Sequence, residues 1–295
     1  MIEQLEYITE QGGVTRALRA DKNVKEKNAW HLATIKGTGF EAAAIGEQSH
    51  GIAGRSYNGL DIDAREIEAD LYADGYDMKG CQKLLGSVSS FVTPANNEAL
   101  GVLRLTNAAG DAFRIAAKCV EFGISKTYRR AALCSAVFHC PFNFFESDVL
   151  HVAPLFAITG GKEYPLERPF TFGEIADTAA QTIEANNEGD MPAPCIIKLT
   201  GAGLSRVEVK NETTGAGIIV SGMDVSGIEI CTDENNLYAR FEDGTDASAY
   251  ISLFSEIAAF KLAPGVNVLS VTMDATNISP AGTQIEWRGR FSTCL

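Results

Sequence analysis

Four histidines, seven cysteines and one glycine-rich hexapeptide are the residues of this 295-residue chain with the clearest chemical potential. His50 follows Ser49 in a glycine-rich stretch and could join a Ser-His-Asp set, but nothing beside it activates the hydroxyl. His31 and His139 fall on segments that read as strands, where a hydrogen-bonded histidine is the ordinary outcome. Cys134, His139 and Cys140 offer metal-ligating atoms, yet zinc sites bring closely paired ligands and no C-x-x-C occurs here. The cysteines (Cys81, Cys119, Cys134, Cys140, Cys195, Cys231, Cys294) are odd in number and mostly flanked by apolar residues. They read as small buried hydrophobes kept reduced. Gly37-Thr38-Gly39-Phe40-Glu41-Ala42 matches G-x-G-x-x-A, with Asp61 about twenty residues on. A dinucleotide site needs a helix crossing back to a parallel strand, and Gly46, Gly51, Gly54 and Gly59 break any helix after Ile45. The stretch therefore reads as a glycine-rich loop between antiparallel strands.

No nucleophile elbow, H-E-x-x-H or P-loop is present. With 38 acidic residues, carboxylate pairs arise by chance, so their presence does not identify a glycosidase. Trp287 with Arg288 and Arg290 is the candidate carbohydrate contact, an aromatic ring for stacking beside guanidinium groups for hydroxyls. The alternation of Ile285, Trp287 and Gly289 against Glu286, Arg288 and Arg290 sets the indole on the apolar face, which favours a core tryptophan. No catalytic, cofactor-binding or metal residue is assigned, and the chain does not read as an enzyme.

Net charge is −13. Residues 1–165 hold 17 Lys+Arg against 20 Asp+Glu, and residues 166–295 hold 8 against 18. An acidic chain without a basic stripe disfavours sequence-specific nucleic-acid binding, though an acidic surface suits a conduit through which DNA slides. Met1-Ile2-Glu3-Gln4-Leu5-Glu6 lacks the basic cap and apolar core of a secretory signal. No run approaches the roughly 18 apolar residues that cross a bilayer. The expectation is a soluble product of the cytosol without membrane insertion.

The elements that must position these residues are mostly strands. Residues 1–28 read as a short amphipathic helix or an arm. Ala29–Ile35 is the first strand, and Gly54–Gly59 is a turn carrying the Asn-Gly hairpin signal. Arg65–Ala73 alternates strictly. Met78, Cys81, Leu84, Leu85 and Val88 make a helical stripe of about ten residues whose end is marked by Gly86 and the Ser-rich Ser87–Ser90. Strands at Leu100–Leu105, Phe113–Phe122 and Arg130–Cys140 complete an antiparallel sheet. Phe138, Phe142, Phe144 and Phe145 read as the plug of an inter-domain corner. Gly160-Gly161, Pro165 and Pro169 mark the boundary, giving domains 1–160 and 161–295. Beyond it, about eight short strands, from segments at Cys195–Leu199, Val207–Val209, Ile218–Val220, Ile228–Thr232, Leu237–Phe241, Ile251–Leu262, Val266–Met273 and Gln284–Phe291, form a meander that needs a second sheet to bury its faces.

Several of these stretches carry a family resemblance. Asn187-Glu188-Gly189-Asp190-Met191-Pro192-Ala193-Pro194, the turn Val209-Lys210-Asn211-Glu212-Thr213-Thr214-Gly215, the strand Gly227-Ile228-Glu229-Ile230-Cys231-Thr232-Asp233 and Leu262-Ala263-Pro264-Gly265-Val266-Asn267 resemble the C-terminal domain of distal tail proteins. These are the hexameric baseplate-hub subunits of long-tailed, non-contractile phages and prophages. The turn at Gly54–Gly59, the Arg65-Glu66-Ile67 strand, one helix, a hairpin and the run Ala136–Phe145 resemble the N-terminal domain of the same family. Ser56-Tyr57 departs from the compact turn many members have.

The resemblance implies a mainly β chain: an N-terminal sandwich or barrel with one flanking helix that forms a ring, and a C-terminal galectin-like or jelly-roll sandwich. It implies a structural virion protein, assembled in the bacterial host cytoplasm into the viral tail. Its partners would be five further copies, a tail tube protein, a tail-tip or tail-associated protein and peripheral receptor-binding proteins. The alternative reading is a carbohydrate-binding receptor module with a lectin-like sandwich.

Overall fold

The computed structural model describes residues 1–11, 14–23, 26–39, 44–49, 55–61, 64–92, 100–155, 178–223, 227–278 and 283–294. Among these residues the fold is mainly β with one α-helix. The chain divides into two compact units, Met1–Asp148 with Phe291–Leu295, and Val149–Arg290. The boundary expected near 160 falls outside the described residues.

The first unit runs β1 (Ile2–Gln11), β2 (Val14–Asp21), β3 (Ala29–Lys36), β4 (Ala44–Ser49), β5 (Arg55–Asp61), β6 (Arg65–Asp74), α1 (Met78–Val92), β7 (Gly101–Asn107), β8 (Ala112–Thr127), β9 (Ala131–Cys140) and β10 (Phe145–Ser147). The order β8-β7-β1-β2-β3-β6-β9 closes on itself because β8 also pairs with β9, which makes a seven-stranded barrel. Length explains how one strand serves both ends of the closure. Residues 112–117 of β8 pair with β7, and residues 118–127 pair with β9.

The N-terminal segment is a hairpin, not the helix or arm the sequence implied. Leu5, Tyr7 and Thr9 are buried at period two, and a bulge between Ile2 and Gln4 shifts the phase so that Ile2 is buried as well. That phase shift hides the strand from a reading that looks for uninterrupted alternation. The turn expected at Gly54–Gly59 is likewise corrected: β5 runs through it, antiparallel to β4, and Asn58-Gly59 sits at an irregularity opposite Gly46. Asn-Gly marks a bulge here, where a backbone kink is needed as much as in a turn.

Alternation holds where it was clear. Ile67, Ala69, Leu71 and Ala73 point into the barrel from β6, as do Cys134, Ala136, Phe138 and Cys140 from β9. Helix α1 starts with Asp77, whose carboxylate accepts the Gly80 N–H at 2.7 Å. It lays Cys81, Val88 and Val92 on the core, while Met78 is exposed. The helix does not stop at Gly86. It runs on to Val92, 15 residues in all, and the Ser87 and Ser89 hydroxyls bond back to the Leu84 and Gly86 carbonyls.

The described residues of the second unit form eight strands: β11 (His151–Pro154), β12 (Thr178–Asn187), β13 (Cys195–Asn211), β14 (Gly217–Met223), β15 (Gly227–Cys231), β16 (Tyr238–Phe241), β17 (Gly265–Ile278) and β18 (Gln284–Trp287). A last short strand, β19 (Arg290–Phe291), brings the chain back to β10. The two strands expected at Cys195–Leu199 and Val207–Val209 are one. Residues 195–200 of β13 pair with β15 and β18, and residues 201–211 pair with β14 and β17. One long strand thus belongs to two sheets, with Gly201 and Gly203 at the changeover. Ile197, Leu199 and Ile230 from one sheet meet Val207, Val209 and Val271 from the other in a shared core.

Candidate functional site

The residues singled out for chemistry are dispersed by the fold. Cys134 and Cys140 lie on the interior face of β9, while His139 has the opposite parity on that strand, so the three do not converge. All seven cysteines are buried and free. Burial pushes the Cys119, Cys195 and Cys294 thiols up to about 12 and Cys134 to about 11, so these groups pack as neutral hydrophobes. His50 and Phe40–Ala43 lie outside the described residues. The flanking segments are strands β3 and β4, and Asp61 ends β5.

Gly37 has its own explanation. Its φ is +77°, and a Cβ there would lie 2.0 Å from the Glu66 carbonyl oxygen, so only glycine fits. Its carbonyl accepts a hydrogen bond from Arg65. Arg65 is 1% exposed and forms the centre of a clasp. Its guanidinium donates to Asn143 Oδ1 at 2.8 Å, to the Gly37 carbonyl at 3.2 Å and to the Ser292 carbonyl at 2.9 Å. It also lies 4.6 Å over the Phe145 ring. The chain end completes the arrangement: Phe291 meets Phe113 edge-on at 5.2 Å, and Cys294 is buried with its N–H on the Thr38 carbonyl. Of the aromatic run, Phe138 and Phe145 are in the barrel core, whereas Phe142 is exposed.

The signatures of the second unit resolve into one device. Asn187, Asn211 and Asn267 are at most 1% exposed, and each belongs to a different signature. Asn187 Nδ2 donates to the Met191 and Leu262 carbonyls. Asn211 Nδ2 donates to the Lys261 carbonyl and to Asn267 Oδ1. Asn267 Nδ2 donates to the Ala263 and Gly265 carbonyls, and its Oδ1 accepts the Ala263 N–H. Three amides from the ends of three strands thus fix Lys261–Gly265, satisfying backbone groups that would otherwise be stranded. Gly189 is required for the same corner, since a Cβ there would lie 2.0 Å from the Arg290 carbonyl. The signatures are scaffolding.

Trp287 is 7% exposed, donates its indole N–H to the Asn186 carbonyl at 3.0 Å and stacks on His151 at 5.4 Å. Arg290 is 5% exposed and paired with Glu234 at 2.9 Å and Asp233 at 3.6 Å. Arg288 is half-buried. Trp287 and Arg290 are engaged within the unit, so the three side chains do not form a shared open face.

What the first unit leaves open is backbone. The β2–β3 contact is parallel and only two residue pairs long, Ala20 with Trp30 and Asp21 with His31. Among the described residues, 14–19 of β2 pair with β1 alone, and 118–127 of β8 pair with β9 alone. Beside the first of these edges, an open cleft of about 1180 Å³ is lined by Arg16, Arg19, Asp21, Asn23, Trp30 and Val88. No group of metal-ligating side chains occurs among the described residues, and no described helix is long and apolar enough to cross a membrane.

The fold of this chain is similar, over nearly its whole length, to that of solved phage tail proteins. The crystal structure of SPP1 Dit (gp 19.1), described as a paradigm of the hub adsorption apparatus in phages infecting Gram-positive bacteria, matches with a TM-score of 0.62 over 99% of both chains at 12% identity. Chains of the phage P2 baseplate in its activated conformation match with a TM-score of 0.50. With Ca the match covers 98% of each chain, and with Sr it covers 98% of this chain and 97% of that one, both at 12% identity. No protein-family model and no curated protein sequence matches the chain.

Proposed function

We propose that this protein is a distal tail subunit, a structural component of a phage or prophage baseplate. Six copies form a ring that joins the tail tube to the tail-tip apparatus. The observation that carries the reading is a likeness to SPP1 Dit that extends over both units at once. A single shared sandwich would be weak support, because such folds host many functions. Two different β architectures in the same order, matched end to end, are far more restrictive.

The first unit is the ring former. Its two open strand edges, on β2 and β8, are different surfaces of one molecule, as a head-to-tail ring requires. Edge pairing between copies would satisfy backbone groups now left to water. The second unit holds peripheral receptor-binding proteins, and the tail tube and a tail-associated protein bind the two faces of the ring. The ring-forming half is nearly balanced, with 17 Lys+Arg against 20 Asp+Glu in residues 1–165, and most of the acidity lies in the half that faces outward. The work is done by shape and symmetry, with no reaction to catalyse. Assembly takes place in the host cytoplasm, and the finished protein resides in the virion tail.

Multi-angle light scattering with negative-stain imaging tests this directly. The expected particle contains six chains around a hole wide enough for duplex DNA, roughly 20 Å. A strict monomer at every concentration would overturn the ring. The carbohydrate-binding alternative draws no support from Trp287, Arg288 and Arg290 in their observed placement. Glycan binding that is lost in Trp287→Ala would restore it.

A further inference from the structure

One loop of the second unit holds two large apolar side chains in full contact with water. Leu253 is 101% exposed and Phe254 is 90% exposed. Isolated surface hydrophobes are commonplace, but this pair sits on a loop that is fastened down. Ile251 bridges to Val220 of β14. The Ser252 N–H donates to the Ile219 carbonyl at 2.8 Å, and the Ile219 N–H donates to Ser255 Oγ at 2.8 Å. Ser255 Oγ donates back to the Ile219 carbonyl at 3.3 Å, and the Ser255 N–H closes the turn on the Ser252 carbonyl at 2.9 Å. Both ends are anchored, so the tip is preorganised with its side chains pointing outward. Phe260 and Leu262, a few residues on, are fully buried, so the core had room for apolar side chains from this stretch.

The surroundings say what would cover the tip. Between Arg240 and Lys261 the chain carries Glu242, Asp243, Asp246 and Glu256 and no basic residue. The Thr245 and Ser248 hydroxyls hold the Asp243 and Asp246 carboxyls below the usual carboxylate range, so both stay charged. Contact between Phe241 and Tyr250 draws the 241–246 turn beside the tip's own segment. Arg240 and Lys261 are themselves committed to Glu229 and Glu234. On β13, which pairs with β14, Arg206 and Lys210 are likewise committed to Glu208 and Glu212, so the apolar knob rises from an acidic segment that forms its collar. An anionic membrane would be repelled by the collar, and so would another copy of this acidic chain.

We infer that Leu253 and Phe254 are the anchor of a protein–protein interface, occupied by a protein partner whose apolar pocket is rimmed by Lys and Arg. The inference takes from the hub reading only the source of that partner, a neighbouring component of the same particle. Burying a side chain of this size is worth roughly ten- to a hundredfold in affinity, and preorganisation spares the cost of ordering the loop. The charged rim accelerates association and makes it salt-sensitive.

The probes are the products of the genes flanking this one, purified individually and titrated against the intact protein by biolayer interferometry. One of them is expected to bind, to bind more weakly at 0.5 M than at 0.05 M salt, and to lose at least thirtyfold in affinity to the Leu253→Asp/Phe254→Asp double variant. Leu253→Ala/Phe254→Ala is expected to lose at least tenfold, with unchanged circular dichroism and melting for both variants. Equal affinity for wild type and double variant overturns the inference, as does binding by none of the products. A change in oligomeric state caused by the double variant would make the occupant a second copy and overturn it too. A monomeric protein that still binds through this tip would sink the ring and spare the anchor; a ring that binds nothing here would do the reverse.

Discussion

The two units solve the same problem, closing a β layer around a core, by different means. The first closes its barrel with unequal strands and secures the seam with one cation: Arg65 ties β6 to the Gly37 corner, to Asn143 and to the returning chain end. The second distributes the task over three buried amides that fasten its loops to Lys261–Gly265. The difference shows in what each leaves unfinished. The barrel exposes backbone edges on β2 and β8, whereas the sandwich exposes side chains at Leu253 and Phe254. Open edges suit pairing between identical copies, and a side-chain knob suits recognition of a different protein.

The largest break in this comparison should come from the clasp. Arg65→Ala removes the donor groups that the Asn143, Gly37 and Ser292 oxygens accept from, and deletion of Phe291–Leu295 removes part of the same arrangement. Breaking a buried charged network costs about 3–5 kcal/mol. Hydrogen exchange should show lost protection in β3, β6 and β9, with β12 and β17 unchanged. Equal loss in both units would mean that the clasp is not local to the barrel. Arg65→Lys should recover only part of the loss, because an ammonium cannot reproduce the guanidinium fork.

A smaller effect of the opposite address is expected from Asn211→Ala or Asn267→Ala. Each leaves backbone groups near Lys261–Gly265 without partners, at about 1–3 kcal/mol. Protection should fall in β12–β18 while the barrel strands hold. A combined Asn211→Ala/Asn267→Ala variant should lose less than the sum of the two, since the amides bond to each other.

The smallest effect is an acid-side one. Burial alone would raise the Glu234 carboxyl, but the Lys261 hydrogen bond and Arg290 outweigh it and hold the group down to about 2. A carboxylate with a folded value below its unfolded one contributes stability above the unfolded value, about 4.3. That contribution fades as pH falls from about 4.3 toward 2. The wild-type melting curve should therefore drop more steeply over this window than that of Glu234→Gln. Parallel curves would show that the ion cluster around Arg290 adds nothing measurable.

Long alternating segments were legible in the sequence. Strands β3, β6, β7, β8 and β9 fall where Ala29, Arg65, Leu100, Phe113 and Arg130 begin their apolar patterns, because one face is buried along β6, β7 and β9 and along the first half of β3 and β8. The mainly β class and the single helix followed from the same patterns. Segments whose pattern changes partway were not legible. A bulge re-phases β1, Gly201 and Gly203 hide the continuity of β13, and the Ser-rich end of α1 reads as a loop although its hydroxyls fold back onto the helix. The signature asparagines could be read as markers, but their task could not. An amide in a turn looks alike whether it faces water or a buried carbonyl.

Sequence by itself determined the strand content, the acidity and the two-part order, since periodicity and charge are local properties of the chain. Tertiary structure alone decided that Phe291–Leu295 returns to the first unit, that Arg65 is buried beneath it, and that Leu253 and Phe254 face water while Phe260 does not. Each of those outcomes depends on which distant segment arrives to cover a residue, and no local pattern encodes that.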